Sequence, residues 1–455
     1  MKALDGDFML KTEILKRRVN PVRFVVLSFL AVIITGTLLL SLPFAAQPGK
    51  STSLVDALFT ATSATCVTGL VVVDIATHYS LFGQIVVLLL IQIGGLGYMT
   101  ITTFFALLIG QKIHLTNRVL LKESFNRPTV GQIITFTRRV FFSVAVIEII
   151  GAFILFLRWR FLGFWIAVKF GIFHSVSAFN NAGFDVIGNF KSFTEYVADP
   201  VVNLTITGLI IIGGLGFVVL SNVYDAIWHK RRLTLMSKIV LLTTIILIVS
   251  GTFLIYLFES GNPSTMGSLS LQGKVFGSYF QSVSARTAGF NSLDIGKMTA
   301  GGLFVLIILM FIGASPGGTG GGIKTVTFAV LLAAIAAWIK GKHETEVMNR
   351  SICDATIIKA MAIFIVSLLL VCTTTLLLCA FNPHTFLQNL FEIVSAFGTV
   401  GLSTGITPFL NTASKLTVSF TIFVGRVGVL SLFLMWRTQN NVCKIKLPEE
   451  EVSVG

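Results

Sequence analysis

Four short stretches repeat one pattern of polar and small residues inside an otherwise apolar chain: SATCVTGL at 63–70, SAFNNAGF at 177–184, SARTAGF at 284–290 and SAFGTVGL at 395–402. Each is Ser-Ala, three or four further residues, then Gly followed by Leu or Phe, and the serines Ser63, Ser177, Ser284 and Ser395 recur at nearly even spacing. The chemistry such loops offer is that of the peptide carbonyl. Glycine accepts positive φ, so Gly69, Gly183, Gly289 and Gly401 let Val67, Thr68, Asn181, Ala182, Thr287, Ala288, Thr399 and Val400 turn their carbonyls towards a common axis. Carbonyl oxygens that replace a hydration shell are how a potassium-selective filter binds its ion. No ring of Asp or Glu falls in these loops, since Asp74 and Asp185 follow the glycine, so selectivity would rest on backbone. Extracellular turns also favour Ser, Asn and Gly, but turn chemistry does not require the same Ser-Ala and Gly-Leu/Phe four times in register.

A second candidate is FIGASPGGTGGGIKT at 311–325. Its glycines, followed by Lys324 and Thr325, suggest a phosphate cradle. A phosphate loop, however, follows a strand and sets Lys directly after Gly, whereas Ile323 separates Gly322 from Lys324 and half a membrane helix comes before. Roughly ten apolar residues precede Gly313, a rise of about 15 Å, which puts the interruption near mid-membrane. Pro316 removes a backbone donor, and each glycine disfavours helix by about 1 kcal/mol relative to Ala. Gly313, Ala314, Ser315, Pro316, Gly317, Gly318, Thr319, Gly320, Gly321 and Gly322 are therefore expected to leave the helix beneath the carbonyl loops, and Lys324 marks where helix resumes. Arg426 lies about 16 Å from the level of Arg437 along a helix, where an arginine costs about 2.5–3.5 kcal/mol. The free carbonyls of 313–322 are its natural partners. Related glycines in IQIGGLG at 91–97, IIIGGLG at 210–216 and IFVGRVG at 422–428 read as helix-packing positions, a reading that accounts for Gly94, Gly95, Gly213 and Gly214.

The elements that must position these residues follow from charge and hydropathy. Of the 455 residues 54% are hydrophobic and 12% charged, against about 25% charged in soluble domains. The net charge of +14 is gathered into five basic segments between long apolar blocks, which is the positive-inside pattern of cytosolic segments and not a nucleic-acid face, since no basic segment carries interleaved aromatics. Each apolar block leaves and returns, and each is interrupted by one of the four loops after a run too short to span and long enough for a re-entrant helix. The expected architecture is an all-α polytopic membrane protein: eight transmembrane helices in four parallel span-pore-span repeats around a pseudo-fourfold central pore, with re-entrant pore helices. Repeats 24–110, 140–228, 239–339 (with the loop 313–322) and 356–436 are separated by cytosolic segments 1–23, 111–139, 229–238, 340–355 and 437–455, with both termini cytosolic. Irregular backbone at membrane depth is tolerated only when buried in protein or lining a cavity, and here it would line one. The segment before Pro21 has acidic residues and no apolar core, so a cleaved leader is not expected. The five cysteines form no C-x-x-C pair and read as small buried apolar residues, with no zinc site or disulfide framework.

The four loops, their recurrence, and the pairing of 313–322 with Arg426 resemble the Trk/Ktr/HKT superfamily of cation transporters, from about Phe24 to Arg437. Length and span number are similar to the Ktr-B-type potassium-transporter subunit and not to the longer Trk type, which has extra N-terminal spans. The resemblance implies potassium uptake across the plasma membrane and no enzymatic activity. It matches the filter glycines to Gly69, Gly183, Gly289 and Gly401; a serine at the first position accompanies sodium selectivity in plant relatives, so four glycines favour potassium. It makes 313–322 an intramembrane gate loop held by Arg426. It further implies a homodimer, with a pathway in each subunit, seated on a cytosolic ring of nucleotide-binding (ATP/ADP, NAD-type fold) regulatory subunits. The chain itself has no G-x-G-x-x-G after a strand, so no cofactor is expected in it. Potassium is the implied transported ion, and a coupling or activating role for sodium stays open. So do a sodium-selective or Na/K-coupled transporter of the same superfamily and, from another class, a membrane nucleotide-binding enzyme. Cys66 and Arg286 depart locally from the loop pattern and read as packing.

Overall fold

A computed structural model describes residues 21–97, 133–342 and 344–429. Most of the terminal segment 1–23 and of the loop 111–139, the tail 437–455, and the ends of repeats 1 and 4 lie outside the described residues. The chain is built of helices in four successive groups. The first holds α1 (Pro21–Leu40), α2 (Leu54–Thr65), the single turn α3 (Ile75–His78) and α4 (Leu81–Leu96). The second holds α5 (Ile133–Trp159), α6 (Phe164–Phe179), α7 (Pro200–Leu215) and α8 (Phe217–Trp228). The third holds α9 (Leu235–Glu259), α10 (Leu271–Ser284), α11 (Ala300–Phe311) and α12 (Thr325–Ile339). After a small hairpin of β1 (Glu346–Val347) and β2 (Arg350–Ser351), the fourth holds α13 (Asp354–Phe381), α14 (Phe386–Gly398) and α15 (Thr412–Val427). Helix α5 begins inside the stretch 111–139 that the charge pattern reads as a loop.

Polar caps set where the short helices begin. Ser53, Ser270 and Thr385 accept from backbone N–H groups in the first turns of α2, α10 and α14, the last as a full capping box with Gln388, each worth about 1 kcal/mol. Each short helix packs on the long first helix of its own group, α2 on α1, α6 on α5, α10 on α9 and α14 on α13. The helix after each loop packs on the short helix of the next group: α4 on α6, α7 on α10, α11 on α14, and α15 back on α2. The outward faces of the first helices are apolar: Ile34 and Leu38 on α1, Ile149 and Phe153 on α5, Val249 and Phe253 on α9, Leu369 and Leu376 on α13 are all exposed. Exposed apolar area on that scale marks a surface made for something other than water, here lipid. The protein is a multi-pass membrane protein. Cys66 is buried as expected, but Cys353 and Cys372 are exposed; Cys353 stands at the N-cap of α13, ahead of the helix, and Cys372 lies within α13, where an exposed thiol meets lipid instead of core.

Among the described residues, three helices are long and apolar enough to span, with the pair α7–α8, bent by 99°, as a fourth. The expected second spans are not continuous. Helices α4, α7 and α15 end at Gly97, Gly216 and Gly428, with φ of 78°, 89° and 90°, a backbone that costs an L-residue about 1–2 kcal/mol. The corresponding position in the third group is Pro316, and there α11 stops one turn sooner, at Phe311. The glycines one turn before these breaks allow backbone contact: a Cβ on Gly94, Gly213 or Gly425 would lie 1.9, 1.8 or 2.0 Å from the carbonyl oxygen of Thr65, Phe179 or Phe397, the ends of the short helices. Gly213→Ala is therefore expected to destabilise the detergent-solubilised protein by about 1–3 kcal/mol, read as a lowered thermal midpoint; a variant melting with the wild type would contradict this packing.

Candidate functional site

The four loops meet. A Cβ built on Gly69 would stand 2.5 Å from the Ala182 carbonyl oxygen, on Gly183 2.7 Å from that of Ala288, on Gly289 2.4 Å from that of Val400, and on Gly401 2.1 Å from that of Thr68. Each loop thus abuts the next and the fourth abuts the first, so the loops close a ring with glycine at each joint. All four glycines have positive φ (91°, 69°, 79° and 96°), and so do the residues two before them: Val67 58°, Asn181 58°, Thr287 81° and Thr399 48°. The intervening Thr68, Ala182, Ala288 and Val400 have none of this strain. Three of the four strained non-glycine residues are β-branched, for which left-handed backbone is most costly. Strain of this kind persists only where the surroundings impose it.

The serines impose it. Ser63 and Ser395 accept from the N–H of Gly69 and Gly401 at 3.1 Å, while Ser177 donates to the carbonyl of Phe184 at 2.7 Å and Ser284 donates to that of Phe290. Their backbone carbonyls accept from Thr68, Ala182, Ala288 and Val400 at 2.8–2.9 Å. Each serine therefore folds the loop over the end of its short helix, a reason for the Ser-Ala repeat that the sequence pattern alone did not supply. Between the adjacent second and third loops, the Asn181 amide and the Thr287 hydroxyl are hydrogen-bonded at 3.1 Å.

Above the ring lies a cavity of about 310 Å³ whose lining includes the four glycines, Asp74, Asp185 and Asp294. Asp74 caps α3 and accepts from the N–H of Phe190 at 2.9 Å, tying the first group to the second. Asp185 is half-buried, and burial pushes its carboxyl up to about 6, with the Asp74 charge adding to the rise. The acidic groups absent from the loops thus gather just outside them, and Asp294 among them was not singled out by its sequence position.

Below the ring lies the segment 313–322. Its neck is closed by a parallel bridge between Ile312 and Ile323, helix resumes at Thr325 with Lys324 as its cap residue, and the stretch between is loop. The N–H groups of Ser315 and Thr319 donate to the carbonyls of Gly214 (3.1 Å) and Gly213 (3.4 Å), and the N–H of Phe217 donates to Gly317 (3.1 Å). Pro316 and Gly318 lie against Gly216. The N–H of Gly321 donates to the Thr399 hydroxyl at 2.8 Å, a Cβ on Gly320 would stand 2.1 Å from the Thr287 hydroxyl, one on Gly313 2.2 Å from the Gly321 carbonyl, and one on Gly322 3.2 Å from Gly398 Cα. Ser315 and Thr325 share a hydroxyl hydrogen bond at 3.0 Å, closing the loop around Ala314. Lys324 Nζ donates to Gly320 at 2.6 Å, and the Arg426 guanidinium donates to Thr319 and, on its other branch, to Gly94.

These contacts correct the packing-only reading of the Gly-Gly pairs. Because α4 and α7 stop at Leu96 and Leu215, the carbonyls of their last turns have no intrahelical partners. Gly94 offers one to Arg426, and Gly213 and Gly214 offer theirs to the loop. Arg286 is buried and donates to the Thr244 hydroxyl at 3.3 Å, while Cys66 is buried behind the first loop. The sequence reading also passed over Glu148, buried on α5, which accepts from Gln92 (3.2 Å) and Asn180 (3.0 Å) directly behind the second loop.

Comparison with known proteins shows what the whole chain is similar to. The family model for TrkH, cation transport protein, matches residues 12–444. The chain is 42% identical to the Ktr system potassium uptake protein B of Bacillus subtilis (strain 168) over 96% of this chain and 97% of that protein. It is 39% identical to the protein of the same name from Vibrio alginolyticus, covering 95% and 94%. It is 36% identical to the potassium/sodium uptake protein NtpJ of Enterococcus hirae, covering 97% and 98%. The crystal structure of the potassium transporter TrkH from Vibrio parahaemolyticus superposes with a TM-score of 0.68 at 18% identity, covering 90% of this chain and 84% of that one, a likeness of fold. The relatives are transporters, which sets the membrane-enzyme alternative aside. A ring of strained carbonyl loops, with a tethered glycine segment beneath it in an apolar helical protein, is thus found in a chain that belongs to the TrkH family of cation transport proteins.

Proposed function

We propose that this chain is the potassium-translocating membrane subunit of a Ktr-type uptake system. The observation that carries the reading is the closed ring of the four loops, in which glycine and an αL residue alternate with ordinary backbone and bring carbonyl groups of neighbouring loops together. In this reading the chain has eight membrane helices in four span-pore-span repeats, the basic segments face the cytosol, and Val67–Gly69, Asn181–Gly183, Thr287–Gly289 and Thr399–Gly401 form the filter. The segment 313–322 is the gate, with Lys324 and Arg426 holding it. A membrane potential of about 100 mV supplies about 2.3 kcal/mol per monovalent cation, enough for roughly fifty-fold accumulation with no chemical energy source. Potassium is favoured because all four joints are glycine and because two relatives are named for potassium uptake. The name of the third includes sodium, so a sodium-coupled mode is the reading to be tested beside it. A homodimer on a cytosolic nucleotide-binding ring belongs to the same proposal; it fits a relative named as one protein of a system.

The test is rubidium and potassium uptake into liposomes holding the purified chain, with sodium present or absent. Uptake that is potential-driven and prefers potassium is expected; equal sodium uptake would overturn the ion assignment. The vestibule adds a pH dependence. Asp185, raised to about 6 by burial, is neutral at pH 5 and charged at pH 7, so the local cation concentration rises with external pH. The sign for stability is opposite: a raised carboxyl favours the protonated folded state, so stability falls as pH rises from about 4 to about 6. Uptake at subsaturating potassium should increase by about twofold or more from pH 5 to 7, and Asp185→Asn should flatten that rise; an unchanged profile in the variant would remove Asp185 from the pathway.

A further inference from the structure

The break at Gly216 turns α8 by 99° away from α7, and α8 leans on α9. A groove of about 750 Å³ opens between α8 and the first turns of α5, within the range of about 300–1,000 Å³ typical of ligand sites. Its walls are apolar, with Val140 and Ile147 from α5 and Leu220 and Val223 from α8, and its floor reaches Phe179 and Phe217. The mouth is different: Arg138, Arg139, Tyr224, Trp228 and His229 line it. Tyr224 is 52% and Trp228 72% exposed, and Arg138 lies 5.7 Å from the Phe142 ring centroid. Among the described residues neither Arg138 nor Arg139 is in an ion pair with a carboxylate. Lys230, Arg231 and Arg232 follow directly. Trp and Tyr beside arginines mark a membrane–water interface, and basic pockets between membrane helices at that level suit anionic headgroups.

We infer that this groove holds one acyl chain of an anionic phospholipid, with the lipid phosphate set against Arg138 and Arg139. Charge complementarity selects the headgroup, and the apolar depth under the two arginines selects a lipid over a free phosphate. The bend at Gly216 creates the site, since a straight α7–α8 helix would not leave the wedge.

Native mass spectrometry of the purified chain with phosphatidylglycerol and phosphatidylcholine of equal chain length tests this without any ion flux, so it stands or falls apart from the transport proposal. The wild type should retain phosphatidylglycerol with a preference of about tenfold or more, as two basic contacts supply. The double variant Arg138→Gln, Arg139→Gln should lose most of that preference. Leu220→Trp, which fills the groove and keeps both charges, should lose the retained lipid, while Lys230→Gln, Arg231→Gln should keep it. Thermal midpoints of the variants check that each is folded. Equal retention of the two lipids by the wild type overturns the site. So does an unchanged preference in the arginine variant, or full retention in Leu220→Trp, which would reduce the effect to surface charge.

Discussion

Gly401→Ser is expected to lower potassium uptake by at least about tenfold and to erase the preference for potassium over sodium. The fourth loop hands over to the first at this residue. A Cβ there would stand 2.1 Å from the Thr68 carbonyl oxygen and 3.0 Å from Gly69 Cα, both backbone atoms, which no rotamer change relieves. The added atom also meets a φ of 96°, worth about 1–2 kcal/mol against an L-residue. Strain and carbonyl displacement are separable, because Gly405 has nearly the same φ, 94°, and nothing within 4 Å of its would-be Cβ. Gly405→Ser carries the backbone penalty without the clash and should keep its selectivity. Paired liposome flux measurements with potassium and sodium decide it: full uptake and unaltered preference in Gly401→Ser would sink the filter assignment, and equal losses in both variants would assign the effect to backbone strain.

What the sequence made legible was what repeats. Four Ser-Ala…Gly stretches in register with the charge pattern located the ring because the ring is made of equivalent loops, and the Pro316 interruption stood out because proline and clustered glycines oppose helix locally. The meaning of Gly-Gly-Leu-Gly was legible only in part. The glycine that touches the Thr65 or Phe179 carbonyl and the glycine that ends the helix three residues later look alike in one dimension, and only neighbours far away in sequence separate a packing contact from a helix stop. Gly94 as an acceptor for Arg426 follows from that stop and could not be read without it. Glu148 escaped notice for a related reason: a lone carboxylate in an apolar run acquires meaning from Gln92 and Asn180, which come from other helices. Asp294, a few residues beyond its glycine, likewise joins Asp74 and Asp185 only through the closure of the ring.

The second large effect is expected at the segment 313–322, proposed above as the gate. Deleting Gly317–Gly321 should raise potassium uptake, because it removes the backbone that lies against the Thr287 and Thr399 hydroxyls at the inner end of the ring. Arg426→Ala should act in the same direction by a different route. The guanidinium spans from the loop, at Thr319, to the last turn of α4, at Gly94, and hydrogen bonds to a charged group are worth about 1.5–3 kcal/mol each. Loss of about 2 kcal/mol from the closed state shifts the closed-to-open ratio roughly thirtyfold, provided the ion pathway itself is intact. Arg426→Lys keeps the charge but not the fork that bridges two carbonyls, so it should fall between the wild type and Arg426→Ala. Helix α15 and the ring supply the control: variants should retain the wild-type preference for potassium, since neither change touches the Gly69–Gly183–Gly289–Gly401 joints. Transport lost in folded protein would show that 313–322 and Arg426 build the pathway and do not block it. Uptake raised with selectivity lost would mean that the loop braces the filter through Thr287 and Thr399, and the gate would then have to be sought elsewhere in the pore.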